Sequence, residues 1–94
     1  MKTTELKKIA LNLKEVNDKA IELGLATSMT DFTDDQIEKQ LNTFDFDIKI
    51  DSENNVYYIA VCYNNVFLRA GIIFENKIVE TLNNNDFIEI TSQF

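Results

Sequence analysis

The spacing of apolar side chains changes near Thr43 from the period of a helix to that of a strand, and this change constrains the fold more than any other feature. Before it, apolar residues recur at intervals of three and four, which predicts one helix over residues 4–23. The members of this apolar stripe are Leu6, Ile9, Leu13, Val16, Ala20 and Leu23. After it, apolar and polar residues alternate over residues 44–51, which is typical of a strand with one buried and one solvated face.

A capping box marks a second helix between these two regions. Thr33 is followed three positions later by Gln36, so their side chains and backbone N–H groups can satisfy each other at a helix start. Asp34 and Asp35 then fall in the first turn, where carboxylates interact favourably with the helix dipole. We expect this helix to end near Asn42.

Short polar turns divide the second half of the chain into strands. We predict strands over residues 44–51, 56–63, 66–74 and 78–82, and a fifth over residues 86–91. Helices followed by strands predict an α+β fold, in which the N-terminal helix and the short second helix pack on one face of a four- to five-stranded antiparallel meander sheet. Ninety-four residues suffice for one hydrophobic core, so we expect a single domain over residues 1–94.

A two-residue turn at Asn64-Asn65 would set the register of the central hairpin and place Val61 opposite Leu68, on the face that the helices cover. The opposite face of these two strands then carries Tyr58, Phe67, Arg69, Gly71 and Ile73. Apolar surface beside charged residues often marks a partner site. The alternative covers for this face are the last strand, Phe94 or a second copy of the chain.

The chain is acidic, and its acidity is concentrated in one segment. Sixteen carboxylates against nine basic side chains give a net charge of -7, which argues against direct nucleic-acid binding, because such proteins rely on Lys and Arg. The eight carboxylates of residues 31–53 are Asp31, Asp34, Asp35, Glu38, Asp45, Asp47, Asp51 and Glu53. Alternate strand residues lie about 6.6 Å apart, close to the phosphate spacing of a nucleic-acid strand. These carboxylates therefore either mimic a phosphate track or keep a small domain in solution.

Motifs for catalysis and for metal or cofactor binding are missing from the sequence. The chain has no histidine, which excludes Ser-His-Asp and Cys-His constellations, and Cys62 has no base or cation near it in sequence. Asp45 and Asp47 share one strand face but both face water, whereas acid–base catalysis needs two different environments. Two glycines cannot build a glycine-rich phosphate loop. We therefore expect neither an enzyme nor a bound metal or cofactor.

These observations predict a non-enzymatic protein-binding module whose partner is a protein with a basic surface. In its sharpest form, the hypothesis is a phage- or plasmid-type inhibitor that occupies the nucleic-acid groove of a host protein. The residues expected to contact the partner are Asp34, Asp35, Glu38, Asp45, Asp47, Asp51, Tyr58, Phe67, Arg69 and Ile73. The alternative is a homodimeric structural or accessory protein that pairs through the sheet face opposite the helices or through the apolar stripe of the N-terminal helix.

The sequence also predicts a cytoplasmic location without membrane binding. The N-terminal residues lack the apolar stretch of about 7 to 15 residues found in a secretory signal. No run reaches the about 20 apolar residues of a membrane span. A single cysteine excludes an internal disulfide and fits a reducing compartment.

Overall fold

The chain folds into a four-stranded antiparallel meander sheet with helices packed against it, which confirms the predicted α+β class. A computed structural model describes residues 1–27 and 32–94. Its helices are α1 (Thr3–Ala10), α2 (Lys14–Glu22), α3 (Asp34–Thr43) and α4 (Asn84–Thr91). Its strands are β1 (Asp45–Asp51), β2 (Val56–Tyr63), β3 (Val66–Phe74) and β4 (Lys77–Leu82), in this spatial order. No helix within the described ranges is both long enough and apolar enough to span a bilayer.

The predicted N-terminal helix is two helices, because the chain turns between Ala10 and Lys14. Leu11 and Leu13 are both buried, yet residues two apart in a straight helix point about 200° away from each other. The turn lets both leucines face the same core. Asn12 lies at the break and donates a side-chain hydrogen bond to the carbonyl oxygen of Ile9 at 3.3 Å. The apolar stripe is therefore used inside the chain, where it packs on the sheet.

The predicted capping box forms at the start of α3. The Thr33 hydroxyl accepts a hydrogen bond from the backbone N–H of Gln36 at 3.2 Å, and the backbone N–H of Thr33 donates to the Gln36 side-chain oxygen at 3.0 Å. At the other end of the helix, Phe44 is buried in the core and leads directly into β1. The helix therefore ends on the residue that anchors the sheet.

The hairpin of β1 and β2 has a regular register, without a bulge. Ile50 pairs with Tyr57 and Phe46 pairs with Val61. We call the face that carries Ile59 and Val61 the first face, because α1, α2 and α3 cover it. The other side of the sheet is called the second face, and it carries Tyr58, Ala60 and Cys62.

A β-bulge in β3 overturns the predicted register from Arg69 onward. Cys62 pairs with Phe67 as predicted, but Val61 pairs with Arg69, so Leu68 is an extra residue. A shift of one residue moves every later side chain to the opposite face. The residues moved to the first face are Arg69, Gly71 and Ile73, and those moved to the second face are Ala70 and Ile72.

The predicted fifth strand is helix α4, and this helix covers the second face. The Asn83 side chain accepts a hydrogen bond from the backbone N–H of Asp86 at 2.8 Å, which caps the helix start. Phe87 from α4 is buried against Ala60 and Ala70 of the sheet. The sheet therefore lies between two hydrophobic clusters, a large one under α1 to α3 and a small one under α4.

Candidate protein-binding surface

Four charged residues follow one another along the second face of β1. We call Asp45, Asp47, Lys49 and Asp51 the β1 row; they pair across the strands with Cys62, Ala60, Tyr58 and Val56. The side chains of Asp45 and Asp47 are exposed. The Lys49 ammonium lies 3.7 Å from a carboxylate oxygen of Asp47, so it neutralises part of the row. The acidic character of the row is strongest at its Asp45 end.

Asp51 ends the row in a local hydrogen-bonded turn. Its carboxylate accepts hydrogen bonds from the side-chain amide of Asn54 at 2.9 Å and from the backbone N–H of Asn54 at 3.3 Å. The side-chain hydrogen bond from Asn54 is the main reason that the pKa of Asp51 lies below its ordinary value. Asp51 therefore stays ionised and is held in place at a half-buried position.

The half-buried Cys62 thiol lies at the other end of the row, where it is influenced by the charges of Asp45 and Asp47. Burial raises the pKa of the Cys62 thiol, and the negative charges of Asp45 and Asp47 raise it further. A raised pKa keeps the thiol protonated at neutral pH, whereas a nucleophilic cysteine needs a lowered one. The site therefore concentrates negative charge without activating a nucleophile.

The carboxylates of α3 do not continue this row. α3 packs on the large cluster through Ile37 and Leu41. Its acidic residues therefore lie in the layer formed by α1 to α3, which we call the helical layer, on the other side of the sheet from Asp45 and Asp47. These acidic residues of α3 are Asp34, Asp35 and Glu38. Asp35 pairs with Lys39 at 3.1 Å. The continuous track predicted from the sequence is thus two separate groups, and Asp31 lies outside the described residues.

Two predicted contact residues, Arg69 and Ile73, lie on the first face and not on the predicted second face, because of the bulge in β3. Ile73 is fully buried at 0% exposure beneath the helices, so it cannot touch a partner. Arg69 lies on the first face, where it donates a hydrogen bond to the Thr81 hydroxyl at 3.2 Å and its Nε lies 3.5 Å from a carboxylate oxygen of Glu15. Arg69 thus ties β3 to β4 and α2 instead of adding a positive charge to the second face.

Tyr58 and Phe67 are on the second face, as predicted. Both are half-buried and pack against the small cluster under α4. The Phe94 ring lies edge-on to the Tyr58 ring, with 5.1 Å between ring centroids, and Phe94 itself is 55% exposed. Tyr58 lies opposite Lys49 in the sheet, so this aromatic pair adjoins the β1 row. Apolar anchors and carboxylates are therefore neighbours on this side of the molecule.

Sequence reasoning missed three acidic residues on the same side. Glu80 shares the second face of β4 because it pairs with Ile72, and Asp86 and Glu89 are exposed on α4. We call the second face together with the outer surface of α4 the acidic face. Its charges are Asp45, Asp47, Asp51, Glu80, Asp86 and Glu89, with Lys49 and Lys77. Asparagine is a favoured residue at a helix N-cap, so Asn83 could have indicated the helix that carries Asp86 and Glu89.

The helical layer, in contrast, is balanced in charge. α1 to α3 and the residue before α1 contain seven carboxylates and six lysines. Arg69 lies on the same side of the sheet, where it pairs with Glu15. The described net negative charge is therefore carried by the acidic face and the neighbouring turns. Groups of three or more metal-ligating side chains are not found within residues 1–27 and 32–94.

Comparison with family models, with curated proteins and with solved structures finds no match to this chain.

Proposed function

We propose that the chain is a non-enzymatic module that binds a protein with a basic surface through its acidic face. The observation that carries this proposal is the uneven distribution of charge, with a balanced helical layer on one side and six carboxylates against two lysines on the other. A one-sided field steers a partner of opposite charge toward that side and orients it before contact. Acidic residues that served only to keep the domain in solution would have no reason to favour one side.

Aromatic anchors beside the charges support a docking role. Interfaces draw most of their affinity from a few buried aromatic residues surrounded by polar contacts. Tyr58 and Phe94 form such a pair, and a surface groove of about 420 Å³ lies next to Phe94. Asp51 and Glu53 line the same groove. The groove thus offers an apolar wall and carboxylates to one incoming basic side chain.

The finer form of the proposal is that the partner handles nucleic acid, and that the acidic face occupies its basic groove. Asp45 and Asp47 stand two positions apart on one strand face, at a spacing of about 6.6 Å. Lys49 interrupts the row after them. The mimicking charges would therefore be Asp45 and Asp47 with the carboxylates of α4. A phage- or plasmid-type inhibitor of a host protein would use such a surface.

A pair of charge-reversal variants tests the binding surface. Asp45→Lys with Asp47→Lys changes the acidic face, whereas Asp18→Lys with Glu22→Lys makes the same change of net charge on α2 in the helical layer. Wild type and both variants are used for affinity capture from a bacterial lysate, and the retained proteins are identified by mass spectrometry. We expect wild type and the α2 variant to retain the same protein, and the β1 variant to lose it.

Two further measurements sharpen this test. Capture should weaken between about 0.1 M and about 1 M salt, because the Debye length falls from about 10 Å to about 3 Å. Release of the purified partner by duplex DNA would support nucleic-acid mimicry, whereas release by neither salt nor DNA would contradict it. Equal loss of the partner from both variants would contradict a role of the acidic face, provided that circular dichroism shows both variants folded.

A further inference from the structure

β1 is an open edge of the sheet. It pairs with β2 on one side through seven consecutive residue pairs without a bulge. Its outer side has no backbone hydrogen-bond partner among residues 1–27 and 32–94. The opposite edge, β4, pairs with β3 through an irregular register between Ile72 and Ile73. Regular edge strands are templates for further strands, whereas bulges discourage such pairing.

An apolar side chain stands unprotected on this edge. Ile50 is 57% exposed on the first face of β1. Two positions before it, Ile48 packs against the large cluster, and Phe46 is half-buried there beneath the Lys7 ammonium, which lies 5.3 Å from the centre of its ring. The helices therefore cover the first half of β1 and leave its second half open. A second strand laid along the edge would remove Ile50 from water.

We propose that β1 pairs antiparallel with β1 of a second copy, about a two-fold axis at Ile48. A two-fold axis perpendicular to the sheet keeps the first face of both copies on one side. Such an axis must lie midway between the two copies of one residue, which then pair with each other. With the axis at Ile48, Asp47 lies opposite Lys49 of the second copy, and the symmetry makes this contact twice. Phe46 likewise lies opposite Ile50 of the second copy.

The neighbouring registers are less favourable. An axis at Lys49 would place Asp47 opposite Asp51 of the second copy and bring the two Lys49 side chains together. An axis at Asp47 would pair Asp45 with Lys49 of the second copy, but it would bring the two copies of Asp47 together at the centre. It would also shorten the ladder to residues 45–49 and leave Ile50 beyond the end of the partner strand. Like charges directly opposite in a sheet are destabilising, whereas opposite charges stabilise. The Ile48 register has one unfavourable kind of pair, Asp45 with Asp51 of the second copy, which the symmetry also makes twice. Both of these pairs lie at the open ends of the strands, where water screens them.

The dimer would extend the fold to one eight-stranded sheet with the β1 rows of both copies side by side. This inference does not depend on the proposed binding function, because the edge contact uses backbone groups and side-chain pairs along β1, and it leaves the second face open to solvent. It also differs from the self-association predicted from the sequence, since the apolar stripe is buried in the core and α4 covers part of the second face.

Charge exchange tests the register. Sedimentation equilibrium of the full chain over a wide range of concentrations should show a dimer. Lys49→Asp and Asp47→Lys should each weaken it on the order of tenfold, since each change turns two attractive contacts into two repulsive ones. The double variant carrying both changes restores both contacts and should restore the dimer. Asp18→Lys on α2 changes the charge at a distant site and should leave the dimer intact.

A monomer at every concentration would overturn the inference. So would a dimer that the single variants do not weaken, or a double variant that does not recover. Amide hydrogen exchange gives a second measure: outward-facing N–H groups of β1 should exchange more slowly in the dimer than in Lys49→Asp. This variant also separates the two proposals, because it makes the acidic face more negative and should retain a basic partner while losing the dimer.

Discussion

The buried side-chain amide of Gln40 gives a direct test of how the packing beneath the helices determines stability. Gln40 lies on α3 at 0% exposure, and neither its side-chain nitrogen nor its oxygen has a hydrogen-bond partner in the part of the chain that the structure describes. An amide buried without a partner costs about 1–3 kcal/mol relative to water. Methionine is unbranched, similar in length and fills irregular gaps without needing a hydrogen bond.

Gln40→Met should therefore raise the free energy of unfolding by about 1–3 kcal/mol. For a domain of this size each kcal/mol corresponds to about 4–8 °C in Tm, and total stabilities are only about 5–15 kcal/mol. Urea unfolding followed by far-UV circular dichroism measures the change, and the m-value should stay constant. Gln93→Met is the matched control, since Gln93 is exposed and the change should stay within about 0.5 kcal/mol.

A clear loss of stability in Gln40→Met would refute this reasoning. It would show that the amide gains more from its surroundings than it loses by desolvation, as a hydrogen bond to a buried water would provide. Asn17 on α2 presents the same problem, since it is 1% exposed and both its side-chain polar atoms lack a partner among residues 1–27 and 32–94. A buried water would then be expected at Asn17 as well.

Three further changes probe the caps and the acidic face. Asp45→Asn with Asp47→Asn should lower the pKa of the Cys62 thiol and speed its alkylation at a fixed alkaline pH, because two opposing charges are removed; an unchanged rate would mean that burial alone controls the thiol. Thr33→Ala should lower the free energy of unfolding by about 0.5–2 kcal/mol in urea titrations, and no measurable loss would contradict the capping box. Asn83→Ala should cost a similar amount and reduce the helical circular dichroism signal, whereas an unchanged spectrum would show that α4 does not need its cap.

Strands β2 and β3 could be predicted to the residue because local signals agree there. Asn64 and Asn65 adopt positive φ angles of 49° and 66°, a conformation that asparagine tolerates and a two-residue hairpin turn requires. The strand on each side begins or ends at this turn. Residues whose own conformational preference matches the fold therefore set the strand boundaries before any tertiary contact is considered.

The bulge at Leu68 could not be predicted, because β3 is apolar on both faces. Alternation specifies register only where one face is polar. Leu68, Ala70 and Ile72 look alike to any hydrophobicity pattern, yet Leu68 faces the large cluster and the other two face the small one. Because of this ambiguity, the sequence pattern placed Arg69 and Ile73, two of the predicted contact residues, on the wrong face.

Helix α4 was mistaken for a strand because its residues favour one. Isoleucine, threonine and phenylalanine are typical of strands, and the predicted strand over residues 86–91 contains Phe87, Ile88 and Ile90. Tertiary context decides otherwise, since the second face of the sheet needs an apolar cover and the Asn83 cap starts a helix there. Phe87 and Ile90 are three positions apart and both pack on that face, a helical spacing that could have been noticed.

Charge counting located three of the six carboxylates of the acidic face, and it could not assign carboxylates to the two sides of the sheet. Asp34 and Asp45 are near each other in sequence, yet the sheet separates their layers. A count along the chain cannot see this, because the side of each carboxylate depends on which face its element covers. The surface that emerged joins β1 with residues of β4 and α4 that no sequence window contained together.

The position of α4 after the sheet means that the cover of the second face can be lost without the loss of any strand. Phe87 covers Ala60 and Ala70, yet all four strands precede it in the chain. Cleavage of the backbone between β4 and α4 would expose Tyr58, Phe67 and Ile72 beside the open edge of the sheet, and partly folded chains associate through such surfaces. Proteolysis within residues 83–86 should therefore cause aggregation, although every strand stays intact.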